Sequence, residues 1–75
     1  MGRVKWESLK ALEKRVNERL KPYGVRVERR YGYYAIDLTR GETVVDTLVA
    51  GLSGSECLKI LGAIDRILSL FPTKP

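Results

Sequence analysis

Few side chains in this 75-residue sequence could carry out covalent chemistry. Cys57 is the only thiol, and the sequence has no histidine that could activate it as a nucleophile. One cysteine cannot close an intramolecular disulfide, and without a Cys and His cluster no zinc site is expected. Asp37 and Asp46 lie in predicted strands without a partner for acid and base catalysis. We therefore predict a protein that is not an enzyme, has no cofactor, metal site or small-molecule substrate, and keeps Cys57 as an inert core thiol.

The stretch ERRYGYYAIDL, residues 28–38, places two arginines and three of the four tyrosines around one glycine. Aromatic rings near arginines can stack on bases, for about 1 to 3 kcal/mol per base. A tight hairpin uses the same residues, because cross-strand aromatic pairs contribute roughly 0.2 to 1 kcal/mol. Alternation puts Tyr34 on the core side and Tyr33 beside Asp37, whose carboxylate repels phosphate, so the pattern favours a structural hairpin. The auxiliary nucleic-acid-binding candidates here are Arg29, Arg30 and Tyr33.

Positive charge is concentrated at the start of the chain. Residues 1–23 hold seven basic and three acidic residues, which is +4 of the formal net charge of +5, whereas residues 24–50 hold four of each. A basic helix face can contact phosphates, although Lys14 and Glu18 have the spacing of a weak ion pair on an ordinary solvated face. The candidates for phosphate contact are Lys10, Lys14, Arg15 and Lys21.

Hydrophobic periodicity predicts the elements that position these residues. Apolar residues recur every three or four positions over 4–21, which is typical of an amphipathic helix that Pro22 and Gly24 end. Alternation predicts strands over 24–30, 33–39 and 42–49, and a second helix over 54–71 precedes a short tail, 72–75. The predicted fold class is α+β, a two-layer sandwich of α-β-β-β-α order in one domain, with both helices on one face of a three-stranded antiparallel meander.

Two local features sharpen this prediction. Ser53 and Glu56 have the spacing of a capping box, so the second helix should begin at Gly54. The inward face of the third strand is ambiguous, because two alternating sets of apolar residues compete for it. A β-bulge would reconcile them.

The second helix is apolar around most of its circumference. One sheet face and one neighbouring helix could cover it in a monomer, or part of it could mate with a second copy. A homodimer would also stabilise a domain this small, which buries only about 60% of its unfolded surface. We name Leu58 and Leu70 as the oligomer-interface candidates.

The composition bears on the source organism and the cellular location of the protein. The sequence lacks glutamine, contains one asparagine and is 31% charged, which favours a thermophilic source. The start is charged, with Arg3 and Lys5, and no apolar run is long enough for a signal peptide or a membrane span. We therefore expect a cytoplasmic protein with no membrane partner.

The element order resembles that of the double-stranded-RNA-binding domain, which binds duplex shape. The resemblance is topological, since that family uses a longer first loop and a lysine cluster at the start of its second helix, and none of its binding residues carries over. Three segments are similar to short uncharacterised bacteriophage and prophage proteins, which implies a genomic setting but no mechanism. These segments are LEKRVNERL (12–20), YGYYAIDL (31–38) and TLVAGLS (47–53).

The sequence as a whole predicts a small binding module of phage origin. Its expected activity is weak, non-specific nucleic-acid binding through the basic face of the first helix. The alternative is a homo-oligomeric interaction or structural module that uses the apolar surface of the second helix.

Overall fold

A computed structural model describes residues 4–71 of the chain and confirms the predicted α+β fold. The element order is α-β-β-β-α, as expected. Residues 1–3 and the predicted tail, 72–75, lie outside the described residues. The elements are α1 (Trp6–Leu20), β1 (Tyr23–Arg30), β2 (Tyr33–Arg40), β3 (Thr43–Leu52) and α2 (Gly54–Ser69).

The three strands form one antiparallel sheet in the order β1-β2-β3. The β1–β2 pairing is unbroken from Tyr23 opposite Arg40 to Arg30 opposite Tyr33. Tyr31 and Gly32 form the two-residue turn between these strands, with φ of 53° and 81°. Positive φ at both central positions is the pattern of a type I′ turn, whose twist matches that of the flanking strands.

Strand β3 is irregular, and the bulge suggested by the sequence is confirmed. The register between β2 and β3 shifts three times between Tyr34, opposite Leu52, and Thr39, opposite Val44. Each shift adds a residue to β3, which bends the strand and changes which side chains point inward. Leu52 is buried and Val49 packs on the core, whereas most of β3 is exposed.

The core lies between the sheet and the two helices. Leu9 and Val16 of α1 and Leu61 of α2 are fully buried against Val27 and Ile36 of the sheet. Cys57 belongs to the same cluster. Burial raises the pKa of the Cys57 thiol, with a smaller contribution from the negative charge of Glu13.

Side chains of α1 close the outer edge of β1. The Asn17 amide donates to the carbonyl oxygen of Val25 at 2.9 Å, and its oxygen accepts the Val25 amide at 2.7 Å. The Glu13 carboxylate accepts the Val27 amide at 2.7 Å. An unpaired strand edge can recruit another strand, so these bonds both satisfy the backbone and protect the edge.

Helix α2 begins at the predicted capping box. The Glu56 amide donates to Ser53 Oγ at 3.2 Å, and the Ser53 amide donates to Glu56 Oε1 at 2.9 Å. These bonds to Ser53 lower the pKa of Glu56.

Side chains of α1 also contact α2. Arg15 pairs with Asp65 at 3.2 Å, and Arg19 donates to the Leu68 carbonyl at 3.0 Å. The contact residue that comes later in α1, Arg19, meets the one that comes later in α2, Leu68, so α1 and α2 run in the same direction.

Candidate nucleic-acid interface

A shallow depression of about 480 Å³ lies between α1 and β1. We call it the α1–β1 groove. One turn of α1 contributes two residues at i, i+4 spacing, and four consecutive residues of β1 form the other wall. Its lining residues are Trp6, Lys10, Arg26, Val27, Glu28 and Arg29. Strand alternation turns the Arg26 and Glu28 side chains to the opposite face of the sheet, so the side chains that face the groove combine one indole ring, Trp6, with two cations, Lys10 and Arg29.

Four side chains are layered at this groove. The rings of Trp6 and Tyr34 stack with centroids 6.1 Å apart and planes 21° from parallel. Lys10 Nζ lies 5.2 Å from the Trp6 ring, and the Arg29 guanidinium lies 5.8 Å from the Tyr34 ring. Cation–π contacts of this kind contribute about 0.5 to 1 kcal/mol at exposed sites. The layering holds two cations beside a partly exposed aromatic pair.

The positive charge of Lys10 is partly compensated. Its ammonium pairs with Glu13 at 2.9 Å, and Glu13 is itself held by the β1 backbone. The Arg26 guanidinium lies 3.7 Å from Glu28, so their pairing is loose. Arg29, in contrast, forms no ion pair within residues 4–71. It is the least compensated cation of the groove.

The opposite face of the sheet holds a charged network around Asp37. This carboxylate is fully buried and accepts from Arg30 at 2.9 Å and from the Thr47 hydroxyl at 3.0 Å. Arg30 also donates to Glu28 at 2.6 Å. The hydrogen bond from Arg30 lowers the pKa of Glu28, and the Glu28 and Asp37 carboxylates raise the pKa of Arg30. Arg30 therefore bridges the carboxylates of Glu28 and Asp37.

The structure brings together only two of the seven predicted nucleic-acid-binding residues, Lys10 and Arg29, which line the α1–β1 groove. Arg15 points to α2, where it pairs with Asp65, and Arg30 is held on the opposite sheet face. Three predicted residues are exposed but do not line the groove. They are Lys14, Lys21 and Tyr33.

Sequence reasoning did not identify Trp6 and Tyr34 as residues of this site. The apolar spacing of α1 places Trp6 on the apolar face of the helix, yet it is 43% exposed. Tyr34 was predicted on the core side and packs there, where its ring also stacks against that of Trp6. The available signal was the position of Trp6 at the first residue of the helix, where neighbouring elements cover the least surface.

The two predicted oligomer-interface residues differ in their surroundings. Leu58 is partly buried and packs against the core, whereas Leu70 is 75% exposed. Other exposed apolar residues lie near the end of α2 and on β3. They are Ile67, Phe71, Val44, Val45 and Leu48.

Comparison with known proteins gives no relative from which a function could be transferred. No family model matches the chain, and neither a curated protein nor a solved structure matches it. The similarity to phage and prophage proteins therefore stays a prediction. Across residues 4–71, no helix is long and apolar enough to cross a membrane, and no three Cys, Asp or Glu side chains are grouped to hold a metal ion.

Proposed function

We propose that this protein is a small non-enzymatic module that binds nucleic acid weakly and without sequence preference through the α1–β1 groove. The observation that supports the proposal is the grouping of one partly exposed indole, Trp6, with two cations, Lys10 and Arg29, around a single depression. Cations supply the phosphate contacts that dominate non-specific affinity, and an aromatic ring can stack on any base.

The charges of the groove limit the expected affinity. Lys10 and Arg29 offer at most two phosphate contacts, and Lys10 is already paired with Glu13. Each contact steepens the salt dependence of binding by about 0.7 to 0.9 in logarithmic slope. We therefore expect a slope of about −1.5 and an affinity that is measurable only at low salt.

The test is a titration of fluorescent single-stranded DNA, duplex DNA and duplex RNA at several salt concentrations. The variant Lys10→Gln/Arg29→Gln should bind about tenfold more weakly than wild type and show a shallower salt slope by about 1.5. The matched control is Lys59→Gln/Arg66→Gln, which removes the same charge from exposed positions of α2. Equal losses in both variants would assign binding to net charge rather than to the groove, and absence of binding by wild type at low salt would refute the proposal.

A second candidate function, self-association, is favoured by one observation, the exposure of Leu70 and Phe71 at 75% and 66%. Burial of such side chains against a second copy would stabilise a small domain. In sedimentation experiments, Leu70→Lys should dissociate an oligomer without loss of folding. Leu58→Lys should instead unfold the chain, because Leu58 packs on the core. A monomer throughout the micromolar range would exclude this candidate.

We also propose a cytoplasmic location and a phage or prophage origin in a thermophilic host. These settings rest on the composition and on the three segments that resemble phage proteins. Fractionation of cells that express the tagged chain tests the location, and a melting temperature typical of mesophilic domains would count against the thermophilic source.

A further inference from the structure

Tyr31 occupies a position for which its side chain is poorly suited. Its φ is 53°, and it is the first residue of the two-residue turn between β1 and β2. A type I′ turn requires positive φ there, which Asn, Asp and Gly adopt far more readily than an aromatic residue. In the β2–β3 hairpin, by contrast, a glycine takes the positive φ at the first turn position, Gly41 with φ of 62°.

Packing does not account for Tyr31. The residue is 98% exposed, so its ring buries almost no surface that could offset the unfavourable backbone conformation. Residues held in sparsely populated backbone regions without structural benefit are concentrated at functional sites. An exposed ring with both faces free has one evident chemical use, which is stacking on another flat ring.

The tip that carries Tyr31 lies at the same end of the sheet as the α1–β1 groove. Arg29, which lines the groove, is two residues from Tyr31, or about 7 Å along an extended chain. Arg29 is also paired in register with Tyr34, whose ring supports Trp6. A nucleic-acid strand bound in the groove through its phosphates would therefore reach the tip within one or two nucleotides.

We propose that Tyr31 is a base-stacking residue and that the ligand class of this surface is single-stranded nucleic acid. This inference rests on the proposed function of the groove and specifies its substrate. Unpaired bases expose their flat faces, whereas a duplex hides them within its stack, so an exposed ring at the tip favours single strands. Lys10 and Arg29 then contact phosphates while Tyr31 stacks on a neighbouring base.

The experiment compares Tyr31→Asn and Tyr31→Phe with wild type, using oligothymidine of about 12 nucleotides and a duplex of equal length. Asn prefers the turn conformation, so Tyr31→Asn should raise the melting temperature while it weakens oligothymidine binding about tenfold. Tyr31→Phe keeps the ring and should bind within about twofold of wild type. Trp6 is the only tryptophan, so quenching of its fluorescence reports occupancy of the groove in each titration.

The outcomes separate this inference from the function on which it rests. A higher melting temperature together with weaker oligothymidine binding for Tyr31→Asn would support the inference, provided that duplex binding is weak and does not change. Unchanged oligothymidine affinity in a folded Tyr31→Asn variant, or equal wild-type affinity for duplex and single strand, would overturn it while groove binding stands. Absence of Trp6 quenching and of binding by wild type to either nucleic acid would refute the proposed function as well.

Discussion

The two edge strands of the sheet, β1 and β3, are protected from pairing with other strands in different ways. Side chains of α1 hold the backbone of β1 at Val25 and Val27, so its edge is closed and its residues are fixed against the helix. The edge of β3 has no comparable cover within the described chain, and its three register shifts bend it instead. Both devices protect a sheet from unwanted pairing, the first by satisfying backbone groups and the second by disrupting the geometry of the edge.

This difference explains where a binding surface can form. The closed β1 side offers a rigid wall on which charged and aromatic side chains keep a fixed arrangement, as binding sites require. The bent β3 side exposes apolar side chains such as Val45 and Leu48, which are 55% and 50% exposed. The β1 side therefore suits a charged ligand, and the β3 side suits contact with another apolar surface.

The largest expected effect comes from opening the β1 edge. Asn17→Ala removes two hydrogen bonds and leaves the amide and carbonyl of Val25 without partners. We expect the free energy of unfolding to fall by about 2 to 4 kcal/mol, measured by urea denaturation. Asp46→Ala on β3, which loses one exposed bond to the Thr47 amide, should cost about 0.5 kcal/mol. Equal costs at the two edges would show that edge closure does not stabilise the fold.

Glu13→Ala should be the next most destabilising change. It removes the acceptor for the Val27 amide and the partner of Lys10, for an expected loss of about 1 to 2 kcal/mol. Glu13→Gln keeps an acceptor oxygen without the charge and should recover about half of that loss. If Gln were as destabilising as Ala in thermal melts, the ion pair rather than the backbone bond would carry the effect.

Substitutions at exposed positions of β3 should hardly affect stability. Val45→Thr/Leu48→Thr keeps strand-forming side chains at exposed positions, so the free energy of unfolding should change by no more than about 0.5 kcal/mol. Sedimentation of the same variant reports whether this surface takes part in self-association. A loss above about 2 kcal/mol would mean that these side chains pack against something in the monomer.

The smallest expected effect is the acid sensitivity of the Glu28–Arg30 contact. Arg30 holds the pKa of Glu28 below its ordinary value of 4.5, so the ionised carboxylate stabilises the fold above that pH. The contribution is lost as the pH falls through the lowered pKa, because Glu28 then takes up a proton. Melting temperatures from pH 6 down to about pH 3 should fall less steeply for Glu28→Gln than for wild type. The contact is solvent-exposed, so salt should reduce the difference.

The sequence predicts the fold well because each element has a strong local signal. Helix and strand periodicity placed most element ends within two residues, and the capping box fixed the start of α2 at Gly54. The end of β3 was the main error, since 49 was predicted and the strand continues to Leu52. The competing alternation of β3 indicated a bulge, but not that there would be three register shifts or that the strand would continue past Gly51, whose φ is 72°.

The candidate site was only partly predictable. Lys10 and Arg29 were identified, but charge counting along the chain could not reveal that Arg15 meets Asp65 or that Arg30 meets Asp37, because these partners come from other elements. Trp6 is more exposed than its place in the apolar spacing of α1 predicts, for a related reason. Periodicity identifies the face of a helix on which a residue lies, but not whether a neighbouring element extends far enough to cover it.

The parallel contact between α1 and α2 has a consequence for how the chain is made. Arg19 and the Leu68 carbonyl are separated by 49 residues, so the helices meet only after the intervening meander has left the ribosome. Until α2 emerges, Leu9 and Ile36 lack the packing that Leu61 provides. Domains completed by such distant contacts fold slowly and expose apolar surface during synthesis. A chain stopped after β3 should therefore be held by chaperones, and completion of α2 should release it.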